Sequence, residues 1–249
     1  MLLPHGYDGT GPEHSNCRYE RFLQNTVTNG INRLYKGELP DNRSINYSVC
    51  NLTTSSNYFH VLRRQMLRKY RKPLVIATPK VGLRHALYNS HIESFDINNN
   101  SSSFQPIIIS KFYKNPESID NIVFCSGQIF LEVIRLINSL GKNTEDYSLM
   151  LVRIEEIAPF PEELIKGHLK DVNKKAKLTW LQEEGINAGA YFYVEPHLAR
   201  IAYSLNFINQ EINYIGRNAE IAANGCLEIS KKESLIISEK ITSILQRNN

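Results

Sequence analysis

The sequence predicts an α/β protein with largely parallel sheets and helices on both faces. Three observations carry that expectation. Short continuous apolar runs such as Leu74–Thr78 (LVIAT) have the composition of strands buried on both sides. Segments of helical length, apolar at a spacing near 3.6 residues, lie between such runs. From residue 121 onward strands and helices alternate regularly, and right-handed crossovers then make the strands parallel.

In chain order, Cys17–Gln24 reads as a short helix with Tyr19, Phe22 and Leu23 on one side. Asn25–Ser44 is polar and holds Gly and Pro, the composition of a surface insertion. Ile45–Asn51 alternates as a strand. Ser55 or Ser56 is placed to cap a helix running to about Arg71, with Phe59, Leu62, Met66 and Tyr70 as its buried stripe. Lys72-Pro73 stops it, and Leu74–Thr78 follows as a strand. The tract over 94–106 (SFDINNNSSSFQP) has nothing to pack and reads as a linker. Beyond it come a strand at Asn121–Ser126, a helix at Ile129–Leu140 ending on Gly141, and a strand at Tyr147–Ile154. Pro161 opens a helix to about Leu169, Lys177–Gln182 is a strand, and Ala190–Leu205 a helix. A short strand at Ile212–Ile215 and a helix at Lys231–Arg247 close the series. No internal repeat is visible.

Composition narrows the function classes. The chain has 249 residues, 29 Lys+Arg against 25 Asp+Glu, 42% hydrophobic and 22% charged residues. That is ordinary for a globular protein and excludes collagen, coiled-coil and disulfide-dense classes. No stretch approaches the ~18 apolar residues of a membrane span. Cys17, Cys50, Cys125 and Cys226 include no C-x-x-C pair, so they suggest neither a zinc site nor a disulfide framework, and a reducing compartment is expected. Met1–Gly6 lacks the features of a signal or transit peptide, and the chain opens as though within a domain.

The sharpest chemical feature is the loop Pro4–Ser15 (PHGYDGTGPEHS), with three glycines, two prolines and two histidines. His5 and His14 sit among glycines that let backbone approach a ligand, and Asp8 and Glu13 could orient either imidazole for acid–base work. The other reading is a Gly/Pro-rich surface turn with solvated histidines, and it gains from the lack of any ligand spacing. The basic run Arg63–Lys72 invites a nucleic-acid reading. On a helix, however, Arg64, Arg68 and Arg71 share a face opposite Phe59, Leu62 and Met66, with no stacking platform among them. Ser126-Gly127 and Glu183-Glu184 follow strands, where doubly wound sheets bind ligands. Adjacent strand carboxylates point to opposite faces, so Glu183 and Glu184 are expected as a charged strand end or subunit contact rather than a dyad. Glu155-Glu156 is weaker still. Gly9-Thr10-Gly11 lacks the remaining elements of a phosphate loop and follows no expected strand.

PHGYDGTGPEHS, followed by CRYERFLQ, closely resembles the active-site loop of the E1 component of 2-oxoglutarate dehydrogenase. YFHVLRRQ (58–65), RKPLVIATPKVGLRH (71–85), VFCSGQ (123–128), LVRIEEIAPFP (151–161), WLQEE (180–184) and YIGR (214–217) agree with it in order. The 2-oxoadipate-type E1 shares most of these blocks. The resemblance implies decarboxylation of a 2-oxo acid with thiamine diphosphate and Mg, and acyl transfer to the lipoyl group of an E2 subunit. It further implies an E3 partner, a transketolase-like homodimer, and the mitochondrial matrix of eukaryotic relatives. His14 becomes the candidate catalytic residue, and His5, Gly9, Gly11 and Glu13 the active-site loop around it.

Departures from the family pattern also speak. The G-D-G…Asn diphosphate signature is absent, and no metal ligand is expected in this chain. The cofactor and its metal are therefore expected mainly on a part of the enzyme beyond these residues. Expected domains are 1–93, a truncated pyrimidine-binding (transketolase central-like) domain; 94–106, a linker; and 107–249, a transketolase C-terminal-like domain. After QEE only Asn187 and Gly189 are kept from the usual loop, and Asn218 replaces the Pro after YIGR. Residues 106–249 are expected to fold alone, and removing the first ~100 to improve solubility. The rival reading is a catalytically incomplete, stand-alone interaction or dimerisation module.

Overall fold

A computed structural model describes residues 1–7, 11–26, 45–98, 102–219 and 227–246. In chain order the elements are β1 (Leu2–Pro4), α1 (Pro12–Ser15), α2 (Tyr19–Gln24), β2 (Ser48–Asn51), α3 (Ser55–Leu67) and β3 (Leu74–Thr78). They continue with β4 (Ile107–Phe112), β5 (Asn121–Cys125), α4 (Phe130–Leu140), β6 (Leu149–Ile154), β7 (Glu156–Ala158) and α5 (Glu162–Leu169). The last four are β8 (Lys177–Gly185), α6 (Tyr191–Ser204), β9 (Ile212–Arg217) and α7 (Leu227–Gln246). Of the expected insertion Asn25–Ser44, residues 27–44 lie outside the described residues.

Two sheets form. The smaller has the order β1-β3-β2-β7 and the larger β4-β6-β5-β8-β9. Pairing is parallel, with Val49 opposite Val75 and Val123 opposite Thr179, except for the edge strands β7 and β4, which run antiparallel to β2 and β6. The largely parallel α/β class is thus the architecture found. β1, β4 and β7 were not foreseen. β1 and β7 are only three residues long, and β4 lies just beyond the polar tract.

Strand alternation explains the layers. Ile122, Phe124, Met150, Val152, Leu178 and Trp180 face α5 and α6. The intervening Val123, Cys125, Leu149, Leu151 and Leu181 face α4 and α7. The larger sheet is therefore covered on both sides. Tyr19, Leu23, Val49, Val75 and Ala77 belong to the same apolar core as Ile122 and Trp180. That shared core runs against the expectation that residues 106–249 stand alone.

α3 corrects the sequence reading. Its cap is Thr54, whose Oγ1 accepts from Asn57 N–H at 3.3 Å, and it ends at Leu67. Its inner face is Asn57, His60, Val61 and Arg64, while Phe59, Leu62 and Met66 are 41, 41 and 74% exposed. The reason is what the helix covers. Glu155 and Glu156 are buried at β7, so donors are needed beneath α3 rather than apolar groups. Asn57 Nδ2 donates to Glu155 Oε2 at 2.9 Å, and Arg64 grips Glu156 through both terminal nitrogens at 2.9 and 2.5 Å. The Arg64 guanidinium also lies 4.1 Å from the centre of the Phe104 ring, so the end of the 94–106 segment does pack.

Candidate active site

The larger sheet changes direction between β5 and β8, because the chain steps from β5 to β6 on one side and returns to β8 on the other. The crevice at the carboxyl ends of such strands is where α/β sheets hold ligands. Gln128 follows β5, Glu183 and Glu184 end β8, and Arg217 ends β9. Gly127, at φ 70°, lies so close to the Asn51 amide that a Cβ would collide with it. Strand β1 delivers His5, Gly6 and Tyr7 onto the same place, with His5 N–H donating to Thr78 O at 3.2 Å and Gly6 N–H to Ser15 O at 2.8 Å.

His5 is 1% exposed and sits 2.7 Å from Glu184, Nε2 to Oε1. Tyr19 Oη donates to that same oxygen at 2.7 Å, and its ring meets the imidazole edge-on with centroids 4.8 Å apart. Cys17 N–H reaches His5 Nδ1 at 3.3 Å, which leaves the proton of a neutral ring on Nε2, aimed at Glu184. Beside this pair, Glu183 Oε2 accepts from Gln128 Nε2 at 2.8 Å and Tyr7 N–H at 3.2 Å. Arg217 Nε donates to the Glu183 carbonyl at 2.7 Å, and its guanidinium lies over the Tyr7 ring. A cavity of about 730 Å³ opens beside Tyr7, Gln128, Glu183 and Arg217.

Adjacent carboxylates were expected on opposite faces, yet both reach the His5 neighbourhood. The ligand atoms of His5, Glu183 and Glu184 lie within 4.8 Å of one another. Pairing of β8 with β9 shifts register between Leu181 and Gly185, and the strict two-residue alternation ends there. Their partners separate the carboxylates chemically. Burial pushes the Glu183 carboxyl up, and the charge of Glu184 adds to that. Burial alone would raise Glu184 too, but the hydrogen bond and charge of His5 and the Tyr19 hydroxyl hold it below the usual carboxylate range. Burial disfavours a charged imidazole, and contacts with Cys17 and Glu184 outweigh it, leaving His5 well above the usual range.

The trio has the composition of a metal site but not its geometry. A metal at Nε2 would need the lone pair there, with the ring proton moved to Nδ1, where Cys17 N–H already points. Glu184 Oε1 is already held by two partners. These residues do not fit a divalent ion, nor the metal-bound diphosphate of a cofactor.

The sequence-predicted residues separate. His14 is exposed on α1, with Nδ1 3.4 Å from Lys80 Nζ, while His5 is buried. Gly11 adopts φ 104°, which suits glycine. Gly9 lies outside the described residues, as does the side chain of Glu13. The Gly9-Thr10-Gly11 segment does follow a strand, the unforeseen β1. Residue-level reasoning missed Tyr19, Gln128 and Arg217 and misread Glu183 and Glu184; the VFCSGQ, WLQEE and YIGR blocks were the signal for all but Tyr19.

Glu155, beside β7, is a further buried carboxylate. It accepts from Thr53 N–H at 2.9 Å, from the Thr53 hydroxyl and from Asn57, yet burial still pushes its carboxyl up. Of the basic run, Arg64 turns inward to Glu156 and Lys72 Nζ donates to Ile45 O. Among the described residues, no helix is long and apolar enough to cross a membrane.

Residues 89–240 match the family model described as 2-oxoglutarate dehydrogenase C-terminal, and residues 1–85 that described as transketolase, pyrimidine binding domain. A probable 2-oxoadipate dehydrogenase complex component E1 homolog of Dictyostelium discoideum is 39% identical over 235 residues, 94% of this chain and 25% of that relative. The mitochondrial 2-oxoglutarate dehydrogenase of the same organism is 40% identical over 221 residues, 87% of this chain and 21% of the relative. A 2-oxoglutarate dehydrogenase E1 component of Geobacillus sp. (strain WCH70) is 37% identical over 238 residues, covering 94% and 22% respectively. The chain spans about a fifth to a quarter of the length of these curated relatives.

Proposed function

This chain belongs to the 2-oxoglutarate dehydrogenase C-terminal family, and from that premise we propose that it serves as the C-terminal portion of a 2-oxo acid dehydrogenase E1. The reaction is oxidative decarboxylation of 2-oxoglutarate, with succinyl transfer to the lipoyl group of an E2 subunit. Thiamine diphosphate and Mg belong to that reaction, and they sit mainly on residues outside this chain. The partners are E2, E3 and a second E1, and the compartment is the mitochondrial matrix, in keeping with relatives named as mitochondrial.

The observation that carries this reading is how the HGYDGTGPEH loop is held. Its first histidine is locked into the fold by Glu184, and its second stands exposed. The buried His5 at one end, with Gly6 N–H donating to Ser15 O beside the other, holds the ends of this segment so that the exposed imidazole can meet a substrate at a constant position. In this role His14 accepts and returns a proton during acyl transfer, work to which imidazole is suited near neutral pH. His5 is a positioning residue. The charged end of the cofactor finds no fitting ligands among the described residues, so the isolated chain is expected to be inactive.

The test is acyl transfer to lipoamide by the whole enzyme purified from its own cells, with 2-oxoglutarate and 2-oxoadipate compared. A higher kcat/KM with 2-oxoglutarate supports the reading. Preference for 2-oxoadipate moves the chain to the related E1 class, and transfer with neither removes the catalytic assignment. The second reading, a non-catalytic interaction module, is favoured by the missing G-D-G…Asn signature. Titration of the isolated chain with thiamine diphosphate should give no binding, whereas micromolar binding would show the cofactor placement to be wrong.

A further inference from the structure

Lys80 Nζ lies 3.4 Å from Nδ1 of the exposed His14. Neighbouring strands bring the two together. β1 and β3 run parallel with Pro4 opposite Thr78, so the chain leaves both at the same edge of the smaller sheet. From β1 it enters the loop that carries His14, and from β3 it passes the buried Pro79 to reach Lys80. The backbone is fixed there. Lys80–Leu83 forms one 3₁₀ turn, with Gly82 N–H donating to Pro79 O and Arg84 N–H to Val81 O, each at 3.1 Å. Gly82 lies so close to the Tyr88 ring that a Cβ would collide with it. Val81, the next residue, lines the same cavity as Tyr7, Gln128, Glu183 and Arg217. Arg64, Arg135, Lys166, Arg200 and Arg217 are each paired with a glutamate, whereas Lys80 makes no ion pair among the described residues. An exposed ammonium on a fixed turn therefore stands beside the imidazole with its charge uncompensated.

We propose that Lys80 is a specificity-determining residue, which holds the distal carboxylate of a 2-oxo diacid while His14 works at the carbonyl; this rests on the E1 reaction proposed above. An ammonium carries three N–H donors, so with one on His14 Nδ1 the others remain for a carboxylate, a charge-assisted pair. The far imidazole nitrogen, Nε2, is then the one left to face the carbonyl. The distal carboxylate suits Lys80 better than the one beside the carbonyl. Decarboxylation drains negative charge from the latter, so a cation bound to it would stabilise the ground state more than the transition state. The distal group keeps its charge throughout, and holding it stabilises substrate and transition state alike. Lys80 thus sets KM and the choice of substrate rather than the speed of the chemical step.

The experiment is acyl transfer to lipoamide by the whole enzyme, with Lys80→Met and Lys80→Arg compared against wild type. For 2-oxoglutarate, Lys80→Met should raise KM about 10- to 100-fold, the effect of losing a hydrogen bond to a charged group. Its kcat should move by less than about threefold, as uniform binding requires. Lys80→Arg keeps the charge and should return KM to within about fivefold of wild type. 2-Oxopentanoate has a methyl group in place of the distal carboxylate. The preference for 2-oxoglutarate over it should fall in Lys80→Met by about 10- to 100-fold as well. A KM within about twofold of wild type overturns the proposal. So does a fall in kcat at unchanged KM, which would mean that Lys80 acts through His14. An unchanged preference over 2-oxopentanoate overturns it too, since Lys80 would then hold the carboxylate that both substrates share. Failure of the E1 reading looks different: wild-type enzyme would turn over neither 2-oxoglutarate nor 2-oxoadipate, and the proposal would fall with it.

Discussion

Glu183 and Glu184 are neighbours in sequence with opposite titration, and the surroundings decide which is which. Glu184 faces a histidine and a tyrosine hydroxyl, whereas Glu183 faces an amide, a backbone N–H and the charge of its neighbour. The pH dependence follows from those directions. His5 is raised, so its contribution is complete below the ordinary imidazole value of ~6.5 and is lost as pH rises through the folded value. Glu184 is lowered, so its contribution is present above the ordinary carboxylate value of ~4.3 and is lost as pH falls through the folded value. Thermal melts across pH 4 to 10 should therefore show a stability shoulder between those limits, and Glu184→Gln should erase it. Removing one partner of a buried pair costs about 3–5 kcal/mol; urea unfolding of Glu184→Gln that shows under 1 kcal/mol would contradict the anchor. The pair was not legible in the sequence because its members are 179 residues apart and nothing local marks His5 as the buried one.

At the scale of elements, what lies beneath a helix settled which face is buried. The apolar spacing at Phe59, Leu62 and Met66 was real, but the carboxylates below α3 called for Asn57 and Arg64 instead. Met66→Gln should then change unfolding free energy by no more than about 0.5 kcal/mol, the ordinary range for a surface site. A core position would lose about 2–5 kcal/mol on large truncation, and a loss of that size would restore the buried-stripe reading. The turn after β5 behaves oppositely. Gly127→Ala must place a side chain at positive φ and into the Asn51 amide, costing about 1–2 kcal/mol from the backbone alone. Its melting temperature should fall by several degrees, and an unchanged value would mean that the turn relaxes freely. Longer elements such as Leu74–Thr78 and the helix ending at Gly141 were readable because apolar runs and breakers bound them. β1 and β7 were not, since three residues carry no period.

Across the whole molecule, the two sheets depend on one another. Removing the first ~100 residues would take Thr53 and Asn57 from Glu155, Arg64 from Glu156 and His5 from Glu184, and open a shared core. Such a truncation is predicted to be less soluble than the full chain, contrary to the sequence-based expectation, because buried carboxylates would lose their partners. Sedimentation of the two forms after expression side by side checks this, and equal or greater solubility of the shorter form would restore independent folding. Fold class was legible because layers follow from alternation. The coupling of the sheets was not, because it rests on polar contacts about 100 residues apart.

We propose that a buried His5–Glu184 anchor presents His14 for proton transfer. This is tested by acyl transfer from 2-oxoglutarate to lipoamide in the whole enzyme carrying His14→Ala, compared with wild type at matched melting temperature. A loss of about 10²- to 10⁴-fold with the fold intact is expected. Wild-type transfer by that variant would contradict it.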